Sequence, residues 1–115
     1  MAYVSIGEAD QLSDGTMKEV TVNGHEVLIA RVGDTFYAAD SRCPHMGGRL
    51  AQGKLEGTIV TCPRHGSRFD LANGDVVRWL RGSGLFSRVG TALKSPRPLR
   101  TYNVKVERGE ILVEV

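Results

Sequence analysis

The sequence predicts an all-β protein, a sandwich or partly open barrel of short antiparallel strands. Three observations carry this expectation. Runs of β-branched and aromatic residues alternate with polar ones, and two-residue pairs suited to tight turns separate the runs. The stretch with apolar residues at helical spacing, from Leu85 to Leu93, carries or adjoins Gly82, Gly84 and Gly90, each unfavourable in a helix by about 1 kcal/mol.

In chain order, Val20-Thr21-Val22 and the run from His25 to Arg31 flank Asn23-Gly24, a pair that accepts the positive φ angles of a primed hairpin turn. Gly33-Asp34 then turns the chain into Thr35-Phe36-Tyr37-Ala38-Ala39. Gly57-Thr58-Ile59-Val60-Thr61 reads as a strand running directly into Cys62. At the far end Thr101 to Val106 alternates as one strand, Arg108-Gly109 turns, and Ile111-Leu112-Val113-Glu114-Val115 closes a hairpin. His25, just past the first turn, is expected at the surface or beside a neighbouring strand, and Trp79 is expected to pack.

With 115 residues, no internal repeat and no linker, the chain is expected to form a single domain over 1–115. Residues 1–8 have neither a basic start nor an apolar run, and no stretch approaches the roughly 20 apolar residues of a membrane span. A cytoplasmic protein with no membrane span is therefore expected. The net charge of +2 hides a division: residues 1–40 carry −5, residues 41–100 carry +8 and the last fifteen carry −1. Because the basic residues are not interleaved with stacking aromatics, nucleic acid is not expected as a partner.

Chemistry concentrates in two short pairs, Cys43-Pro44-His45 and Cys62-Pro63-Arg64-His65, which hold both cysteines and two of the three histidines. Two thiolates and two imidazoles are enough ligands for a closed metal site. Glycine lies beside each pair, Gly47 and Gly48 after the first and Gly66 after the second, letting backbone approach a bound centre. Zinc sites of mixed type usually pair like ligands with like, whereas here each arm carries one of each. From the residues alone, an iron–sulfur cluster, structural zinc and a Cys43–Cys62 disulfide all stay open, although a disulfide leaves both histidines unexplained.

The pattern Cys-x-His, sixteen residues, Cys-x-x-His resembles the Rieske motif, and the resemblance extends past the ligands. Residues 41–48 and 62–70 look like the two cluster-binding loops of Rieske-type ferredoxins. Ser95-Pro96-Arg97-Pro98-Leu99 resembles the proline-containing loop that covers the cluster in that family. The resemblance implies one [2Fe-2S] cluster held by Cys43 and Cys62 on one iron and by His45 and His65 on the other. It implies a fold of antiparallel sheets, with a cluster-binding subdomain at about 41–76 inserted in a sandwich or barrel-like base built from both termini. Residues 78–94 look like an insertion. Around the ligands, Met46, Gly47, Gly48, Gly66, Ser67, Phe69 and Pro96 are expected to line the cluster.

Two ferric ions, two sulfides, two thiolates and two neutral imidazoles sum to zero charge, so this ligand set accepts an electron more readily than four thiolates. Rieske potentials accordingly span about −150 to +300 mV against about −400 mV for plant-type clusters. High-potential members have an extra disulfide and a serine and a tyrosine as hydroxyl donors; this chain has no spare cysteine, and those donors fall at Ser67 and Phe69. A potential near the bottom of the range is expected. The family implies a one-electron carrier between a reductase and a terminal oxygenase, with a redox subunit of a larger complex and a zinc-stabilised module as alternatives. Catalysis on the chain itself is not expected, because only His25 remains for a two-His, one-carboxylate iron site. Arg42, Arg49, Arg64 and Arg68 near the ligand pairs suggest docking to an acidic partner, with Arg78, Arg81, Arg88 and Lys94 as a second basic group, either recognising that partner or merely packing.

Overall fold

The computed structural model describes residues 2–44, 47–64, 66–78 and 97–115. Within them the chain is built from three antiparallel sheets. The first contains β1 (Tyr3–Glu8), β10 (Val104–Glu107) and β11 (Glu110–Glu114), with β11 in the middle. The second runs β2 (Met17–Val22), β3 (His25–Val32), β4 (Thr35–Asp40) and β9 (Thr101–Tyr102). The third comes from one continuous stretch: β5 (Lys54–Glu56), β6 (Ile59–Thr61), β7 (Arg68–Asp70) and β8 (Val76–Arg78), each paired with the next. Among the described residues, helix is confined to two short 3₁₀ turns, Ala9–Gln11 and Leu50–Gln52, and none is long and apolar enough to cross a membrane.

The second sheet is buried on both faces. Val27 and Ile29 join Val22, Ala38, Ile111 and Val113 in one core, while Leu28 and Ala30 join Ala39, Leu50, Val60, Phe69 and Leu99 in another. Successive strand residues point to opposite faces, so a middle layer needs an unbroken apolar run. Val27-Leu28-Ile29-Ala30 is that run, with all four residues buried. Burying a Val, Leu or Ile side chain contributes about 1.5–3 kcal/mol, so β3 ties the two cores together. Cys43 and Cys62 belong to the second core, packed with Leu50, Val60 and Phe69 rather than held out on the surface.

The expected hairpins form. Val22 pairs with His25 around Asn23 and Gly24, whose φ angles of 49° and 82° make the primed turn. Glu107 likewise pairs with Glu110 around Arg108-Gly109. His25 is exposed and stands edge-on to the Tyr102 ring at 6.4 Å.

Two expectations are corrected. The strand before Cys62 begins at Ile59, because Gly57-Thr58 is spent on the turn from β5. The run from Thr101 to Val106 is two strands: Thr101 and Tyr102 pair with β4, then β10 pairs with β11. Asn103 makes the crossing, its carbonyl accepting from the Glu114 N–H at 2.9 Å and its Nδ2 donating to Glu114 Oε1 at 3.0 Å. Trp79 and the stretch from Leu85 to Leu93 lie outside the described residues.

Candidate metal centre

Both cysteines stand at the tips of hairpins with the same backbone frame. In the first, Arg42 and Arg49 form an antiparallel bridge, the Cys43 N–H donates to the Gly48 carbonyl at 2.8 Å, and the Gly47 N–H donates to the Cys43 carbonyl at 2.8 Å. In the second, Thr61 pairs with Arg68, the Cys62 N–H donates to the Ser67 carbonyl at 2.8 Å, and the Gly66 N–H donates to the Cys62 carbonyl at 3.1 Å. Each tip closes through a left-handed glycine four residues past the cysteine, Gly47 at φ 73° and Gly66 at φ 75°. A residue with a Cβ is disfavoured there, which accounts for glycine at both places.

The thiols are 3% and 2% exposed and are not disulfide-bonded. The tips face each other closely: a Cβ added at Gly48 would lie 2.7 Å from Cys62 Sγ and 3.2 Å from Arg64 Cβ. Ser67 occupies the station of Gly48 in the second tip and is fully buried, as is Phe69 beyond it. Leu99 closes the same core, its N–H donating to the Gly74 carbonyl at 2.8 Å. Two sealed thiols, left unoxidised on facing tips with bare glycine between them, suit a buried centre held in part by sulfur. The structure thus brings Cys43, Cys62, Gly47, Gly48, Gly66, Ser67 and Phe69 together. His45, His65, Met46 and Pro96 lie outside the described residues.

Charge around the first tip is largely matched from within. Arg49 Nη1 meets Glu19 Oε2 at 2.7 Å, and Arg42 Nε meets Glu26 Oε2 at 3.3 Å, so β2 and β3 grip both stems of the loop. Glu19 Oε1 and Ser41 Oγ are sealed from solvent without a well-aligned hydrogen bond. The Ser41 hydroxyl and then the Arg49 guanidinium nevertheless hold the Glu19 carboxyl below the usual carboxylate range, against the opposing effect of burial. Arg68 pairs with Glu56 at 3.8 Å. Arg42, Arg49 and Arg68, three of the four arginines expected to attract a partner, thus face internal carboxylates.

Nothing in the sequence marks Glu19, Glu26 or Arg78 as part of this region. Arg78 reaches it because the β7–β8 register slips between Phe69 and Arg68, leaving Val77 bulged and half exposed. Near the start of the first loop, Tyr102 donates to Asp40 Oδ1 at 2.5 Å. Burial, reinforced by that carboxylate, pushes the Tyr102 phenol up to about 12.

Comparison with known proteins places this frame. The family model for the Rieske [2Fe-2S] domain matches residues 2–96. The ferredoxin component of the naphthalene 1,2-dioxygenase system of Pseudomonas putida is 33% identical over 113 residues, spanning 94% of this chain and 93% of that protein. The ferredoxin of carbazole 1,9a-dioxygenase from Nocardioides aromaticivorans IC177 superposes with a TM-score of 0.81 at 30% identity, covering 98% of this chain and 97% of its own. A chain from a complex of reduced oxygenase and oxidized ferredoxin in carbazole 1,9a-dioxygenase superposes at 0.77 with 28% identity, over 96% and 91% of the two chains.

Proposed function

The chain belongs to the Rieske [2Fe-2S] domain family, and from that premise we propose that Cys43 and Cys62 hold one iron of its cluster while His45 and His65 hold the other. The protein is a one-electron carrier, and the cluster, when bound, takes up and releases that electron. The observation that carries the ligand assignment is the pair of matching hairpin tips, each burying a thiol. The frames match, while the histidine follows the cysteine at the second position in one and the third in the other, so two ligand spacings are set on one kind of tip.

The chain's own residues fix the thiols and exclude water. Backbone N–H groups are spent within the tips, and Leu50, Val60, Phe69 and Leu99 pack the thiols from beneath. Ser67 is the hydroxyl placed to act on the centre, and Phe69 offers none, which supports a potential near the lower end of the family's range. We assign the cluster-binding subdomain to residues 41–78, two beyond the expected 76 because β8 completes its sheet, and leave residues 79–94 as the insertion.

The electron's destination is a terminal oxygenase, as the ferredoxin–oxygenase complex of carbazole 1,9a-dioxygenase suggests, and its source is a reductase. Docking to an acidic surface is directed by the arginines around the two tips, Arg42 and Arg49 on the first and Arg64 and Arg68 on the second. The cytoplasm is the assigned compartment.

Electron paramagnetic resonance of the dithionite-reduced protein tests the assignment. Mixed Cys and His ligation gives an average g below that of an all-cysteine cluster. H45A and H65A should abolish that signal, and H25A should leave it. A silent spectrum with stoichiometric zinc overturns the reading.

A further inference from the structure

Two arginines from unrelated places in the sequence occupy matching places on the two tips. Gly47 and Gly66, the paired left-handed glycines, each turn their carbonyl toward a guanidinium. Arg42 Nη1 donates to the Gly47 carbonyl at 3.2 Å. Arg78 donates to the Gly66 carbonyl twice, from Nε at 3.1 Å and Nη2 at 2.9 Å. Arg42 immediately precedes Cys43, whereas Arg78 ends β8, twelve residues beyond Gly66. Convergence on the same carbonyl by different routes marks that atom as the point where each tip needs holding.

We propose that Arg42 and Arg78 are positioning residues, one for each ligand loop, anchoring the ends of the segments that carry His45 and His65, and that Arg78 also raises the cluster's potential by its fixed charge. The proposal rests on the cluster assignment above, whose own failure shows in the wild-type spectrum before any variant is made.

A carbonyl beside a left-handed glycine at a hairpin tip has no ladder partner, and a guanidinium supplies a charge-assisted donor that never deprotonates. Each arginine is itself tethered. Arg42 is held by Glu26, and Arg78 by the β7–β8 bulge that sets it opposite Arg68. The two differ in charge balance: Glu26 matches Arg42, whereas among the described residues Arg78 faces no carboxylate. Half-buried, Arg78 therefore places an unmatched positive charge against the second loop, where it favours the more negative reduced state.

The test compares R42Q, R78Q and R78K with wild type, and with K54Q, which removes one exposed charge from the same sheet. Two quantities are measured on cluster-loaded protein: the rate of cluster loss to an iron chelator, and the midpoint potential by spectroelectrochemistry. R42Q and R78Q should each lose the cluster about tenfold faster, as expected for a lost charged hydrogen bond. R78Q should also lower the equilibrium constant for reduction by roughly threefold to tenfold, tenfold being about 59 mV for one electron. R42Q should leave the potential within twofold in that constant. R78K, keeping the charge without the fork, should hold the potential yet release the cluster faster; K54Q should change neither. Wild-type release in either glutamine variant overturns the paired role, and an unchanged potential in R78Q overturns the electrostatic one. If R78Q does not load, R78K decides, and wild-type release from it refutes the anchor.

Discussion

Replacing Gly48 by alanine is the sharpest perturbation the geometry offers. The new Cβ would stand 2.7 Å from Cys62 Sγ, where unstrained heavy atoms sit about 3.5–4.0 Å apart, so the sulfur or the tip must yield by about 1 Å. Backbone strain is not the cause, since Gly48 does not have a positive φ. Overpacking of this kind costs about 1–3 kcal/mol, and near the middle of that range the melting temperature falls by about 8 °C. The greater effect is on the centre, because the atom displaced is a ligand thiol. Iron per chain, visible absorbance and chelator release should show a poorly loaded, labile cluster. A G48A/R64G double variant separates the two contacts: glycine at 64 removes the Cβ that would lie 3.2 Å from the new methyl and leaves the sulfur clash intact, so it should not restore loading. Full iron content with wild-type release and melting in G48A would refute the steric reasoning.

Three further outcomes are expected. Because the Glu19 carboxyl is held low in the folded protein, its contribution is present at neutral pH and lost as pH falls through the folded value. E19Q should therefore melt lower at pH 7 by an amount worth about 1 kcal/mol, and the gap to wild type should close on acidification, as calorimetry across pH would show. Tyr102, raised to about 12, contributes stability below the ordinary phenol value near 10 that is lost as pH climbs toward about 12. Ultraviolet titration should show one phenol resisting ionisation to that pH, absent in Y102F. F69Y supplies a hydroxyl where the chain has none, and a donor reaching the cluster should raise the potential by about 60 mV, equivalent to about 1.4 kcal/mol; an unchanged or lower voltammetric midpoint counts against Phe69 as a cause of low potential.

What could be read from the sequence was local. Asn23-Gly24 and Arg108-Gly109 announce their hairpins because a two-residue primed turn is written in two residues. The spacing of Cys43 and Cys62 assigns them to one site, and both thiols do enter one core. What stayed hidden is either very short or depends on distant pairing. Strands β5, β7 and β8 are three residues each, too short for alternation to register. The break at Asn103 is decided by which sheet each half of the run meets, not by its composition. The arginines' own partners were hidden for the same reason: Glu26, Glu19 and Glu56 come beside Arg42, Arg49 and Arg68 only once the chain is folded.

The matching tips have a consequence for protein engineering. Each is a hairpin end closed by one cross-strand pair, 42 with 49 and 61 with 68, and each glycine carbonyl is held by one guanidinium, Arg42 inside the first eight-residue unit and Arg78 outside the second. A centre assembled from two such modules is portable to a scaffold that presents two antiparallel hairpins end to end, at the separation at which a Cβ on Gly48 would graze Cys62 Sγ, provided the host also supplies a guanidinium in the place of Arg78. Success in such a host would turn on inter-hairpin distance and on that one donated side chain.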